Sequence, residues 1–324
     1  MDSKLSIRNF KSIKNLDLET KRVNVFIGEP NAGKTNILDA LFPFSVNSFD
    51  NFKKVLRMED ATNLFYDQNF TAGLDVIYED YSYSIKQVKN QYGAFLEDLE
   101  FIFAIEKDRF SARLQLNGNL VNQTNVNFNS RFRYYAFDSL VAFENHSFRT
   151  FLNPPYGSNL PSLIIQTPYL RQLVSDVFQE KGFKLFARPT SYQIEIAKEI
   201  NGDIYTYPYQ STSDTLRRIV FLKLAIASNK DSVLVLDEPE ANTFPFYTKE
   251  IAETIADDTS NTYFLTTHNP YLLKSLIEKT KEKDIQVNLV YMKEYETLVR
   301  PFKSDELNEL IDVDIFFNLN KYLE

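Results

Sequence analysis

Residues 23–41 read Val23-Asn24-Val25-Phe26-Ile27, then Gly28-Glu29-Pro30-Asn31-Ala32-Gly33-Lys34-Thr35, then Asn36-Ile37-Leu38-Asp39-Ala40-Leu41. The middle octet is a complete G-x-x-x-x-G-K-[ST] phosphate-binding loop. The apolar run before it predicts a buried strand, and the residues after it predict the first turns of a helix, which is the context the loop needs. Backbone N–H groups of such a loop wrap a nucleotide's phosphates, and the helix N-terminus adds partial positive charge. Lys34 is placed to reach the β- and γ-phosphates, and the Thr35 hydroxyl to coordinate Mg²⁺. Only 8 glycines occur in the chain, and two of them stand here.

Outward from this loop, hydrophobic periodicity divides the 324 residues. Lys4 to Phe10 and Lys14 to Glu19 alternate apolar and polar residues, as half-buried strands do. A first helix is expected from about Gly33 to Leu41, ending near Pro43. Between Thr71 and Phe137 the pattern turns mostly to period two, with strands at Leu74–Tyr78, Phe101–Ile105 and Arg131–Phe137. Asn117-Gly118 marks a two-residue hairpin. Together these predict an antiparallel β region inserted into the nucleotide-binding fold. Pro154-Pro155 breaks the chain before a helical stretch from about Leu160 to Glu180. A second hairpin is expected around Asn201-Gly202.

From Ser213 onward strands and helices alternate, the mark of a parallel sheet. Helices are expected over Asp214–Ala227, Phe246–Ala256 and Tyr271–Lys279. Strands are expected at Val233–Asp237, Thr262–Thr267, Ile285–Met292 and Thr297–Phe302, with two short acidic-capped helices at the end. The expected organisation is one domain over residues 1–324. Within it, residues 1–60 and 185–303 would form the nucleotide-binding core, 61–184 an inserted β and helical lobe, and 304–324 C-terminal helices.

Two further stretches carry chemistry. Val233-Leu234-Val235-Leu236-Asp237-Glu238 is a buried strand delivering two carboxylates at its carboxyl end, where ligands of open α/β sheets bind. Asp237 would hold Mg²⁺ opposite Thr35, directly or through water, and Glu238 would act as general base or position the attacking water. His268, one of 2 histidines, directly follows the apolar strand ending at Thr267 and so falls at the same sheet edge, within reach of a γ-phosphate. His146 has no such context.

Composition sets the limits. Hydrophobic residues make up 44% and charged residues 25%, as in an ordinary globular protein. No apolar stretch reaches the length of a membrane span, and Met1-Asp2-Ser3-Lys4 lacks the pattern of a secretion signal. The absence of Cys excludes disulfides and cysteine-ligated metals and fits a cytoplasmic protein. A net charge of −8 gives no global field toward nucleic acid, which leaves a local basic groove as the route to such a partner. The 28 Phe and 19 Tyr, with no Trp, read as core filler for strands.

The ordered set resembles the ATP-binding-cassette class of P-loop ATPases, in the branch typified by RecF, SMC heads and overcoming-lysogenization-defect proteins. Leu5-Ser6-Ile7-Arg8-Asn9-Phe10-Lys11-Ser12-Ile13 before Gly28–Asn36 is similar to that branch's N-terminal signature. Asp237-Glu238-Pro239-Glu240-Ala241-Asn242 is similar to its Walker B and D-loop, and Thr267-His268-Asn269-Pro270 to its switch histidine.

The resemblance implies an α/β P-loop NTPase head and an ATP-hydrolysing reaction. ATP and Mg²⁺ would be the ligands, with Gly28, Glu29, Pro30, Asn31, Ala32, Gly33, Lys34, Thr35, Asn36 and Lys11 on the nucleotide side. It also implies that two copies sandwich two ATP molecules, each site completed by the partner's signature motif. Here that motif would be Ser211-Thr212-Ser213-Asp214-Thr215, with Thr212 and Ser213 clamping a γ-phosphate. Asp214 departs from the family's usual Gly. A carboxylate there repels a triphosphate unless it caps the helix and points away.

The lid glutamine could be any of Gln68, Gln87, Gln91, Gln123, Gln166 and Gln172. No sustained heptad run for a coiled coil is present. Glu306 with Asp312-Val313-Asp314 mimics a Toprim metal set, but too few residues follow His268 for such a domain. The output implied is the gating of a separately encoded effector, such as a nuclease, in DNA repair or phage defence. The alternatives are a dimerising scaffold with little turnover and, less well matched to Glu238 and His268, a small-molecule kinase.

Overall fold

The computed structural model describes residues 3–45, 51–90, 92–105, 108–124, 130–144, 149–312 and 319–322. Strands are numbered β1 to β16 and helices α1 to α8 along the chain. All five residues of β3 (Val23–Ile27) are buried, as in a strand covered on both faces. Its sheet also holds β9 (Phe132–Tyr135), β13 (Val233–Leu236), β14 (Thr262–Thr266), β15 (Ile285–Lys293) and β16 (Glu296–Pro301). The order is β16-β15-β3-β14-β13-β9. All neighbours pair in parallel except β16, which folds back antiparallel on β15.

Alternating side chains of this sheet feed two cores. Val25, Leu234 and Leu265 point to one side. That side is covered by α3 (Leu160–Gln166), α4 (Pro168–Gln179), α5 (Asp214–Ala227), α6 (Pro245–Asp257) and α7 (Pro270–Lys279). Phe26, Val235 and Phe264 point to the other, where α1 (Lys34–Asp39) and a second sheet pack.

The second sheet is wholly antiparallel. It comprises β1 (Ser3–Phe10), β2 (Ile13–Thr20), β4 (Leu74–Tyr78), β5 (Tyr81–Lys89), β6 (Phe95–Ile105), β7 (Asp108–Gln115) and β8 (Leu120–Gln123), in the order β2-β1-β4-β5-β6-β7-β8. The phenylalanines and tyrosines fill the space between the sheets. Phe44 alone lies 5.7 Å from Tyr81, 5.2 Å from Tyr83 and 5.0 Å from Phe132, ring to ring, a spacing at which aromatic pairs attract beyond their burial. A small helix α2 (Phe52–Val55) adds Phe52 to this cluster. A third sheet, β10 (Lys184–Arg188), β11 (Gln193–Ile200) and β12 (Asp203–Pro208), leads into α5, and α8 (Ser304–Asp312) lies near the end.

The fold is the α/β P-loop NTPase head expected, with an antiparallel region and a helical lobe, and four features differ in detail. β9 was expected in the antiparallel region because Arg131 and Arg133 give it an alternating look. Instead it runs beside β13 in the parallel sheet. Arg133 is buried, donating to the carbonyls of Ser130 and Phe132 and lying 3.8 Å from the Phe151 ring, so a charged residue occupies a covered face. The hairpin at Asn117-Gly118 closes on the Gln115–Asn119 pair, giving a three-residue loop with Gly118 at φ 77°. β1 and β2, placed with the nucleotide core from sequence, are built into the antiparallel sheet. The strands β5 and β10 were not anticipated, although Tyr81, Tyr83 and Ile85 alternate inward along β5.

Candidate functional site

Three adjacent strands end at one rim: β3 into the phosphate loop, β14 into His268, and β13 into Asp237 and Glu238. The loop's shape depends on glycine at two positions. Gly28 has φ 152°, and a Cβ there would stand 2.0 Å from the Val290 carbonyl oxygen. Gly33 has φ 97°, and a Cβ would stand 2.0 Å from Thr297 Oγ1. Thr297 on β16 braces the loop by donating to the Ala32 carbonyl (3.0 Å) and pairing with Ser12 Oγ (2.6 Å), which also accepts from Asn36 (2.7 Å). Ser12 lies in the β1–β2 turn, so the N-terminal hairpin supports the loop from outside the sheet. Glu29, Pro30 and Asn31 are exposed and Ala32 is buried.

Lys34 is buried, and its ammonium donates to the carbonyls of Gly28 (3.0 Å) and Glu29 (2.8 Å). Burial brings it down to about 8, against the pull of Glu238 and Asp237. Thr35 Oγ1 lies 3.3 Å from Asp237 Oδ1. These two oxygens suit Mg²⁺, which takes one or two protein ligands and completes its shell with phosphate and water. Among the described residues no cluster of three or more His, Asp or Glu side chains forms a separate metal site.

Glu238 stands in the left-handed region at φ 44°, and its carboxylate lies 3.4 Å from His268 Nε2. Burial and the nearby Lys34 lower the His268 pKa, opposed by Glu238 and Asp237, which favours the neutral imidazole. Thr266, which the sequence reading passed over, holds this arrangement: its hydroxyl donates to Asp237 Oδ1 and accepts from the Glu238 amide (3.0 Å). Its only sequence signal is its place at the end of an apolar strand before His268.

Three of the expected residues are bonded away from this loop, two of them the candidate clamp for a second copy's nucleotide. Lys11 does not turn to the loop. Its ammonium is bonded to Asp39 Oδ2 (2.6 Å) and the Leu56 carbonyl (2.8 Å), in a buried group that Arg57 and Tyr134 complete around Asp39. Thr212 and Ser213 are engaged locally: Thr212 donates to the Tyr209 carbonyl (2.7 Å), and Ser213 caps α5 by accepting from the Leu216 amide (3.4 Å). Ser213 is exposed. Asp214 is not the cap; its carboxylate pairs with Arg217.

Of the lid candidates, Gln87 bonds to the Leu96 carbonyl (2.9 Å) and Gln172 to Asp176 (2.7 Å). Gln91, His146 and Asp314 lie outside the described residues. Glu306 serves helix α8, accepting from Arg300 and from the Lys303 amide.

A phosphate loop after a central parallel strand, faced by paired acids and a histidine on neighbouring strands, is the layout of a P-loop NTPase fold. Residues 1–155 match the family of AAA ATPase domains. The fold is similar to that of an SMC head solved with the C-winged helix domain of ScpA, at 12% identity, covering 94% of this chain and 98% of that one, with a TM-score of 0.53. Two other similar structures are an SMC head domain from Thermotoga maritima and one from Pyrococcus furiosus. The former has 17% identity, covers 94% and 100% of the two chains and has a TM-score of 0.40. The latter, bound to the C-terminal domain of ScpA, has 11% identity, 95% and 98% coverage and a TM-score of 0.49. No curated protein matches the sequence. No helix among the described residues is long and apolar enough to cross a membrane.

Proposed function

We propose that this chain binds ATP with Mg²⁺ at the sheet rim and hydrolyses it to ADP and phosphate. The observation that carries this reading is the adjacency of β3, β14 and β13, which brings Lys34 together with Glu238 and His268, each more than 200 residues further along the chain. The loop N–H groups between Gly28 and Asn36, all but that of Pro30, which has none, cradle the phosphates, and Lys34 leaves its loop carbonyls for the β- and γ-oxygens. Thr35 and Asp237 would hold Mg²⁺, which would supply charge neutralisation on the phosphates. Glu238 accepts the proton of the attacking water, and His268 orients that water or the γ-phosphate.

Two copies close around ATP, and the exposed Ser213 and neighbouring Thr212 on one copy meet the γ-phosphate held by the other. Opening after hydrolysis gates a partner, such as a separately encoded nuclease, in DNA repair or phage defence. Asp214 supports a second reading, a nucleotide-gated dimer with little turnover. Its carboxylate stands 65% exposed beside the clamp, and Arg217 offsets only part of its repulsion.

Phosphate release and sedimentation together test both. Hydrolysis predicts that Lys34→Ala loses ATP binding and turnover, while Glu238→Gln keeps binding, loses turnover and accumulates as an ATP-bound dimer. Wild-type protein that dimerises with ATP yet releases no phosphate at any concentration would leave only the scaffold.

A further inference from the structure

The turn carrying Glu238 holds another acid that the reaction does not use. Glu240 is 5% exposed, and its Oε1 accepts a hydrogen bond from the hydroxyl of the fully buried Thr267. Its Oε2 is buried without a partner among the described residues. Burial drives its carboxyl up to about 7, opposed by the Thr267 bond and by backbone hydrogen bonds from Glu240 itself and from His268. A carboxyl kept in so costly a place needs a reason, and the far end of the Thr267 bond supplies one.

The Thr267 hydroxyl also accepts from the Asn269 amide (2.9 Å), and the Asn269 side chain caps α7 by accepting from the amides of Tyr271 (2.8 Å) and Leu272 (3.3 Å). His268 lies between these two residues, so its backbone is pinned on both sides. The turn that Glu240 anchors is itself closed, with Ala241 N donating to the Glu238 carbonyl (3.0 Å) and Thr243 N to the Glu240 carbonyl (3.0 Å). Thr266 ties the start of that turn to β14, and Thr267 ties its middle.

We propose that Glu240 is a positioning residue that locks the Thr267–His268 strand end to the acidic turn and thereby sets the imidazole against Glu238. The catalytic consequence rests on the reading of Glu238 and His268 as the hydrolytic pair; the positional one does not. Arg218 on the signature helix α5 is a charged neighbour of both Glu240 and Glu238. The same carboxylate therefore lies near a cation of the helix that would meet a second copy.

The chain has 2 histidines, so a ¹³C,¹⁵N-histidine-labelled protein without nucleotide gives two imidazole signals, separated by a His146→Gln variant. Glu240→Ala should displace and broaden the His268 signal. Glu240→Gln, which still accepts from Thr267, should leave it in place. Thr267→Val, which keeps the shape and removes the donor, should reproduce the Glu240→Ala spectrum, and it carries the test if Glu240→Ala fails to fold. In turnover, Glu240→Ala and Thr267→Val should lower kcat about 10- to 100-fold at unchanged KM, the scale expected when a reacting group is misplaced by an ångström or less.

An unmoved His268 signal in the folded Glu240→Ala or Thr267→Val protein overturns the proposal, whatever the turnover. A moved signal in a protein that never hydrolyses ATP upholds the positioning and removes the hydrolytic reading instead.

Discussion

Replacing Lys34 by Met separates what this lysine costs the fold from what it does for phosphate. The side chain is 5% exposed, and burial lowers its ammonium from the ordinary 10.5 to about 8. That gap corresponds to about 3 kcal/mol of penalty on the charged form. Solvent reaching the loop mouth screens part of this, and Met forfeits the bonds to the Gly28 and Glu29 carbonyls. The net expectation is that nucleotide-free Lys34→Met is more stable than the parent by about 2 kcal/mol, read from urea unfolding at pH 7.

The pH dependence has a definite sign. Between pH 8 and 10.5 the unfolded chain holds a proton on Lys34 that the folded chain has lost, so the parent gains stability as pH rises. The variant's advantage is therefore full below pH 8 and gone near 10.5. ATP reverses the ranking: at 100 times its Kd it adds about 2.7 kcal/mol to the parent and nothing to the variant. A variant less stable than the parent at pH 7 without nucleotide, or a difference that ignores pH, would refute the reasoning.

Lys11→Met should destabilise the protein by about 3 kcal/mol, because it leaves the fully buried Asp39 with Arg57 as its one remaining cation. The affinity for ATP, measured by titration calorimetry on the folded variant, should stay at the parent value, whereas a nucleotide-contacting Lys11 would show a clear loss. Gly28→Ala forces a Cβ to within 2.0 Å of the Val290 carbonyl at a backbone angle that side chains avoid. ATP binding should fall below detection while thermal unfolding drops by several degrees, and binding at the parent affinity would show the loop to be freer than this packing allows.

Local pattern determined a good deal of this protein. The octet Gly28–Thr35 carries its own chemistry, and the strands and helices after Ser213 follow from periodicity and caps that each segment contains. Asn269 before Pro270 and Ser213 before Asp214 are helix starts legible in the chain itself. The same local signals misplaced β9, since alternation around Arg133 cannot reveal that its guanidinium is swallowed by two carbonyls and the Phe151 ring.

What needed the tertiary structure was every relation between distant segments. The sequence order β3, β13, β14 becomes β3-β14-β13 in the sheet, and only that exchange seats His268 between the phosphate loop and the acids. Thr297 under Gly33, Thr266 on Asp237 and Thr267 on Glu240 are single hydroxyls with no periodic signature. Lys11, inside the N-terminal signature and alike in charge to any phosphate ligand, turns to Asp39 because that carboxylate is buried and must be answered. Hydrophobic periodicity is a property of neighbours along the chain, whereas a buried charge or hydroxyl is satisfied by whichever group the packed fold delivers.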